Sequence, residues 1–289
     1  MAFTSTHEIG KARELIAQIE SIIGFDEKTG LVKAARLLDD PDASHLDTFE
    51  NISLAINYAL LGNTERAKNI LIAIEKYVGK DNKTGLFFNK LGIGQHEEKK
   101  VLPGEKTIYL SNQVLIFLLL LLLGESKKAR DFLEIIKDKF QFFSFNNHSV
   151  YQHALNLSSF YAFNNLFMAI AENVASNQEK SMNLVNDILD LCWDHRIGLL
   201  TFAPNEKLYF ILDNSLLAIW YKLNNEGNKC RDIIKIIEEK VKRDNETKLF
   251  YRGVKLISDN FESIPPALTY TNSVLSIAYL VSADLFTKN

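Results

Sequence analysis

Two carboxylates, Glu50 and Asp213, stand at matching places in the chain. Each directly precedes an asparagine that opens an apolar run: Glu50-Asn-Ile-Ser-Leu-Ala and Asp213-Asn-Ser-Leu-Leu-Ala. A negative charge in the first turn of a helix is stabilised by the helix dipole. Paired carboxylates are also what glycoside hydrolysis requires, one as acid and one as base or nucleophile. The same two residues serve equally well as helix caps, so spacing alone leaves both roles open.

A second group lies in the stretch FNNHSVYQHALN, which holds His148, Tyr151 and His153. Histidine and tyrosine can take and return protons, the work of a lyase or an epimerase; solvated loop histidines are the structural alternative. A third stretch, TFAPNEKLYFILDN, brings Glu206, Lys207 and Tyr209 close to Asp213. Tyr109, Tyr209, Tyr251 and Tyr270 lie in or beside such connections, with Phe88, Phe202 and Phe250. Aromatics lining a concave site stack on sugars or enclose apolar chains, and they also pack loops together.

Other motifs carry less. The acid-rich LDDPDASHLD offers Asp39, Asp40 and Asp42 as oxygen ligands for a divalent cation, but Pro41 interrupts it and a solvated loop is the better reading. Cys192 and His195 have a two-residue spacer, but no second pair completes a zinc set. There is no glycine-rich phosphate loop and no nucleophile elbow. The residues call for no organic cofactor and no metal.

The elements that position these residues form an internal repeat. FDEKTGLV, KDNKTGLF, WDHRIGLL and RDNETKLF start at Phe25, Lys80, Trp193 and Arg243. In each, Asp can cap the turn, and glycine, where present, suits a positive φ. Between these turns lie five apolar helices carrying Asn51, Asn112, Asn165, Asn214 and Asn272 at one aligned place. An amphipathic helix follows each of the first four, with Ala67, Ala129, Ser181 and Cys230 recurring as a small residue. Asn51 to Asp81 and Asn214 to Asp244 both span 30 residues, so each unit is a block of fixed length. The N-terminal helix has the character of an amphipathic second helix, with Ala12 in the register of Ala67 and Cys230. The last helix, from about Pro266, is an apolar first helix. Pairing the two completes a fifth hairpin. Because all five units share the asparagine, its role is structural; the preceding residues, Glu50, Ser111, Asn164, Asp213 and Thr271, are where the units differ.

Composition sets limits. The chain has 289 residues, 47% of them hydrophobic, and a net charge of −3. That is a globular composition with material for a large core, and it lacks the basic stripe that nucleic acid requires. The apolar run at 114–123 is half the length of a membrane span, so it belongs in a core. The N-terminus does not read as a signal peptide, and two cysteines make no disulfide framework. The expectation is a cytoplasmic protein without membrane association, folded as one domain over 1–289.

The Asp-x-x-Thr-Gly-Leu turns and the Asp213-Asn-Ser-Leu-Leu-Ala helix start resemble those of the α/α-toroid proteins. These include six-hairpin glycosidases and sugar epimerases, toroid polysaccharide lyases, and terpenoid cyclase and prenyltransferase toroids. The resemblance is architectural, covers nearly the whole chain, and lies closest to the carbohydrate-active branch. It implies an all-α (α/α)5 toroid with its working cup at the inner-helix N-termini. On that basis Glu50, Asp213, His153 and Tyr209 are the expected catalytic residues, and Tyr109, His148, Tyr151, Glu206, Tyr251 and Tyr270 the expected substrate contacts. The implied function is a glycoside hydrolase, polysaccharide lyase or sugar epimerase acting on a small-molecule or oligosaccharide ligand. The alternatives are a non-enzymatic toroid that binds a ligand or protein partner, which predicts a filled cup, and an isoprenoid-handling toroid.

Overall fold

The computed structural model describes residues 2–23, 25–32, 45–92, 106–155, 157, 159–258 and 260–283. Asp39, Asp40 and Asp42 lie outside them. The described residues are mostly helical. Five apolar helices are α2 (Thr48–Leu60), α4 (Leu110–Leu122), α6 (Ala162–Val174), α8 (Ile211–Leu223) and α10 (Thr269–Ser282). Five amphipathic helices are α1 (Ala2–Ile23), α3 (Thr64–Ala73), α5 (Ser126–Lys139), α7 (Gln178–Cys192) and α9 (Gly227–Lys240). A π-helical turn, Ile74–Val78, extends α3.

The apolar helices contact one another in the order α2, α4, α6, α8, α10, and α10 also packs on α2. Each has its main amphipathic partner: α2 on α3, α4 on α5, α6 on α7, α8 on α9, and α10 on α1, with α10 also touching α9. Side chains from all five apolar helices, among them Ile56, Leu115, Phe167, Leu216 and Val274, meet around an apolar void of about 20 Å³. An interior position explains why α4 is apolar on every face: Leu110 to Leu119 are all buried. The small residues Ala12, Ala67, Ala129, Ser181 and Cys230 are buried too. Where α10 meets α2 and α1 the contact is polar. Asn57 Nδ2 donates to Ser273 Oγ (3.0 Å), and Ser276 Oγ donates to Asn57 Oδ1 (2.8 Å).

The repeated turns have one chemistry. Asp26, Asp81 and Asp244 each accept hydrogen bonds from the main-chain N–H and the hydroxyl of a threonine three residues on. In the fourth turn Asp194 accepts from Arg196 N–H. The next position has positive φ, filled by Gly30, Gly85 and Gly198, and by Lys248 at 60°.

Each turn is tied to an apolar helix by an amide. Asn51, Asn214 and Asn272 each accept from and donate to one main-chain residue, Val32, Leu200 and Phe250 respectively. Asn165 accepts from Tyr151 N–H. In α4 the bridging amide is Gln113, which clasps Phe87 N–H and C=O at 2.9 Å each. The expected Asn112 instead donates to Asn89 Oδ1. Gln113 stands four residues after the helix cap Tyr109, as Asn51 does after Asp47. The second unit is therefore shifted by one residue from the sequence alignment, and the layer preceding the amides is Glu50, Asn112, Asn164, Asp213 and Thr271.

The connections contain short strands, which an all-α expectation omitted. β1 (His45–Asp47) pairs with β2 (Lys90–Gly92), β3 (Phe142–Phe145) with β4 (His148–Tyr151), and β5 (Trp193–Asp194) with β6 (Leu199–Leu200), all antiparallel. β7 (Leu208–Phe210), β8 (Tyr251–Ile257) and β9 (Asn260–Ala267) form a three-stranded sheet in that order. Pro265 and Pro266 fall in β9, an edge strand where a missing N–H is tolerated, so α10 begins at Thr269 rather than at the prolines. Gly253 in β8 is required by close approach: a Cβ there would overlap the Tyr209 carbonyl oxygen.

Candidate functional site

The N-terminal turns of the five apolar helices share one end of the molecule, and the layer Glu50, Asn112, Asn164, Asp213, Thr271 lies across it, every member buried. Each occupies the third helical position after its cap, where a polar side chain can meet the free N–H groups of a helix start.

Asp213 is the most unusual member. It is completely buried, and its own N–H and that of Phe163, in the first turn of α6, face its carboxylate and favour the charged form. Its Oδ1 has no hydrogen-bond partner. Burial pushes its pKa up to about 7; the two N–H groups and the nearby Arg252 guanidinium oppose the rise without cancelling it. Close to neutrality it therefore exists in both protonation states. Glu50 is buried as well, and its Oε1 accepts from Thr269 Oγ1 at 2.6 Å.

Asn164 Nδ2 lies 2.7 Å from His153 Nδ1, while Asn164 Oδ1 is buried without a partner. The amide as placed makes Nδ1 the acceptor, so Nε2 carries the proton of the neutral ring. The His153 ring packs between Tyr109 and Tyr161, with centroids 4.8 and 4.5 Å away. Burial holds its pKa below the ordinary histidine value, against the Asn164 contact. Tyr161 also touches Phe163 and Phe202. Phe49 packs edge-on against Tyr270 and Phe167. Burial raises the Tyr270 pKa, and Glu50, Asp213 and Asp47 add to the rise while Arg252 lowers it. Tyr270 thus senses both carboxylates of the layer. Phe49, Tyr109, His153, Tyr161, Phe163, Phe202, Arg252 and Tyr270 are all half-exposed, so this end presents an aromatic surface over the buried polar layer.

The structure brings Glu50, Asp213, His153, Tyr109 and Tyr270 to this end; five other expected residues go elsewhere. Tyr209 is 1% exposed and its hydroxyl donates to Asp194 after α7. His148 Nδ1 is 2.9 Å from Asp187 on α7. Tyr151 is buried under Phe142 with Lys180 of α7 beside it. Tyr251 donates to Asp244, after α9. Glu206 is solvent-exposed in a turn. The reason is strand alternation. On β7, Tyr209 turns to the outer layer and Phe210 turns to Phe202. On β8, Tyr251 turns to the outer layer and Arg252 lies over Phe210, 4.3 Å from its centroid. A period-two reading of those two short runs would have selected Phe210 and Arg252. Asn164, Tyr161 and Phe163 had a signal of their own: they start an apolar helix.

Cys192 and Cys230 are buried, and burial pushes both thiols up to about 12, away from nucleophile or ligand chemistry. Among the described residues no three His, Cys, Asp or Glu side chains are grouped to hold a metal, and no helix is long and apolar enough to cross a membrane.

No family model matches the chain, and no curated protein matches it in sequence. Solved structures do match its fold. Endoglucanase Cel10, a family 8 glycosyl hydrolase from Klebsiella pneumoniae, superposes with a TM-score of 0.61 at 10% identity, covering 94% of this chain and 99% of its own. Endo-β-1,4-glucanase CMCax from Acetobacter xylinum gives 0.58 at 9%, covering 96% and 98%. Cellobiose 2-epimerase from Bacillus thermoamylovorans gives 0.57 at 12%, covering 94% and 87%. These are α/α-toroid enzymes of the six-hairpin glycosidase type, and the likeness shows that this chain has an α/α-toroid fold.

Proposed function

We propose that the ten helices form one (α/α)5 toroid domain, closed by α10 on α1, and that it is a carbohydrate-active enzyme working at the inner-helix N-termini. The observation that carries this is Asp213: a fully buried carboxyl with one oxygen unpartnered and its pKa pushed up to about 7, beneath a half-exposed aromatic surface. A carboxyl that is protonated near neutrality can donate to a glycosidic or ring oxygen. Aromatic rings supply stacking faces for sugars. The endoglucanases and the epimerase of like fold act on sugars, which supports the same substrate class here. In this reading Asp213 is the acid and Glu50 the second carboxylate. His153, fixed by Asn164, orients substrate, while Tyr109 and Tyr270 contact it. The ligand is an oligosaccharide, and neither nucleic acid nor a membrane takes part.

A second reading within the same class is proton abstraction, as in a lyase or epimerase. The neutral, partly desolvated His153 favours it: its depressed pKa keeps the ring uncharged, and with the Asn164 amide turned so that Oδ1 accepts from Nδ1–H, Nε2 is the nitrogen that takes the proton. The apolar packing below the polar layer is what a non-catalytic toroid would also show; the unpartnered acid is what such a protein would not need.

The test is a glycan panel followed by product analysis. Hydrolysis yields new reducing ends, a lyase yields unsaturated ends, and an epimerase changes only stereochemistry. Asp213→Asn, Glu50→Gln and His153→Ala are then assayed on the substrate found. If all three retain the wild-type rate, the assignment is wrong.

A further inference from the structure

Arg252 is half-buried at the same end, and among the described residues no hydrogen bond or ion pair engages its guanidinium. Three other arginines, Arg66, Arg196 and Arg243, reach Glu20, Asp194 and Glu14, whereas the other described arginines with neither bond nor ion pair, Arg13 and Arg130, are exposed to solvent. The Arg252 guanidinium lies over the face of Phe210, which holds the planar group and, among the described residues, leaves its N–H edge without a hydrogen bond. Partly desolvated charge without a partner is costly, and a fold keeps it where a ligand supplies the counter-charge.

The neighbouring acids do not supply it. Asp47 caps α2, accepting from Phe49 and Glu50 N–H. Glu50 accepts from Thr269. Asp213 is the acid nearest in electrostatic terms, and burial drives it toward its neutral form.

We propose that Arg252 reads an anionic substituent on the carbohydrate, a carboxylate or a sulfate, so that the preferred substrate is an acidic rather than a neutral glycan. The planar fork of a guanidinium matches either group in a two-point contact. Phe210 beneath it and Phe202 beside Phe210 give the sugar ring an apolar flank. The adjacent acid, when protonated, adds a donor rather than a repelling charge. This inference rests on the carbohydrate reading above.

The test is isothermal titration calorimetry of the full chain with three oligosaccharides of equal length: an oligogalacturonate, a sulfated galactan fragment and a neutral cello-oligosaccharide. Wild type, Arg252→Gln and Arg252→Lys are compared, with thermal melts confirming that each is folded. The expected result is wild-type binding of one acidic probe about tenfold or more tighter than the neutral one, the effect of a single charge-assisted contact. Arg252→Gln brings that ratio to about one, and Arg252→Lys keeps part of it. Whichever acidic probe wins identifies the group that is read. Equal binding of neutral and acidic probes by the wild type overturns this inference and leaves the carbohydrate reading standing, as does a preference that survives in Arg252→Gln. Absence of binding to all three by folded wild type overturns both.

Discussion

Two adjacent layers of the inner helices differ by one residue in sequence and by everything in chemistry. The amide layer, Asn51, Gln113, Asn165, Asn214 and Asn272, repeats, and each amide bridges its helix to a turn or strand. The layer before it varies in residue type, and two of its members, Asn164 and Asp213, keep an unpartnered oxygen in a buried setting. Repetition with full hydrogen bonding is the mark of scaffold. A buried polar atom left unsatisfied costs about 1–3 kcal/mol, and it persists where a ligand or a reaction makes use of it.

The comparison can be broken first at Asp213. Asp213→Asn keeps shape and removes the titrating proton, and turnover of the identified substrate falls by about 10²–10⁴-fold. The same variant gains stability relative to wild type as pH rises. The folded-state pKa is raised from 3.8 to about 7, so the folded state holds a proton that the unfolded chain has released. Wild-type stability therefore falls as pH climbs between those two values and is flat above them. Urea melts at several pH values show whether the wild-type penalty is absent from Asp213→Asn.

In the amide layer the effects reverse. Asn214→Ala orphans the N–H and the C=O of Leu200 and costs about 3 kcal/mol of stability in chemical denaturation. The remaining folded fraction keeps its turnover per molecule. Gln113→Asn sharpens the register: the shorter side chain cannot reach Phe87, at a cost of about 1–2 kcal/mol. Asn112→Gln leaves that clasp intact, and equal costs for the two would contradict the shifted alignment. The smallest effect is at Tyr209→Phe, which loses only its bond to Asp194, about 1 kcal/mol or less, and leaves turnover unchanged.

How much was legible follows the same division. The Asp–Thr turns, the bridging asparagines and the small residues under the outer helices are local or periodic, and hydrogen bonds a few residues apart leave their spacing in the sequence. Asn112 misled because Gln113 beside it is also an amide, and only the distance from the Tyr109 cap tells them apart. The clustering of Glu50, Asp213, His153, Tyr109 and Tyr270 was foreseeable once the helices were taken as a ring. Tyr209, His148, Tyr151 and Tyr251 were not placed correctly, because strands as short as three residues decide which neighbour faces inward. Arg252 was missed for that reason: its inward turn depends on the pairing of β8 with β7 and β9, a contact between distant parts of the chain.

The central claim is that Asp213, buried in the first turn of α8, carries a proton near neutrality. Carbon-detected carboxyl NMR over a pH titration, on wild type and Asp213→Asn, measures it directly. One aspartate titrating near 7 in the wild type and missing from the variant is the predicted result. A spectrum in which every aspartate titrates below about 5 would contradict it.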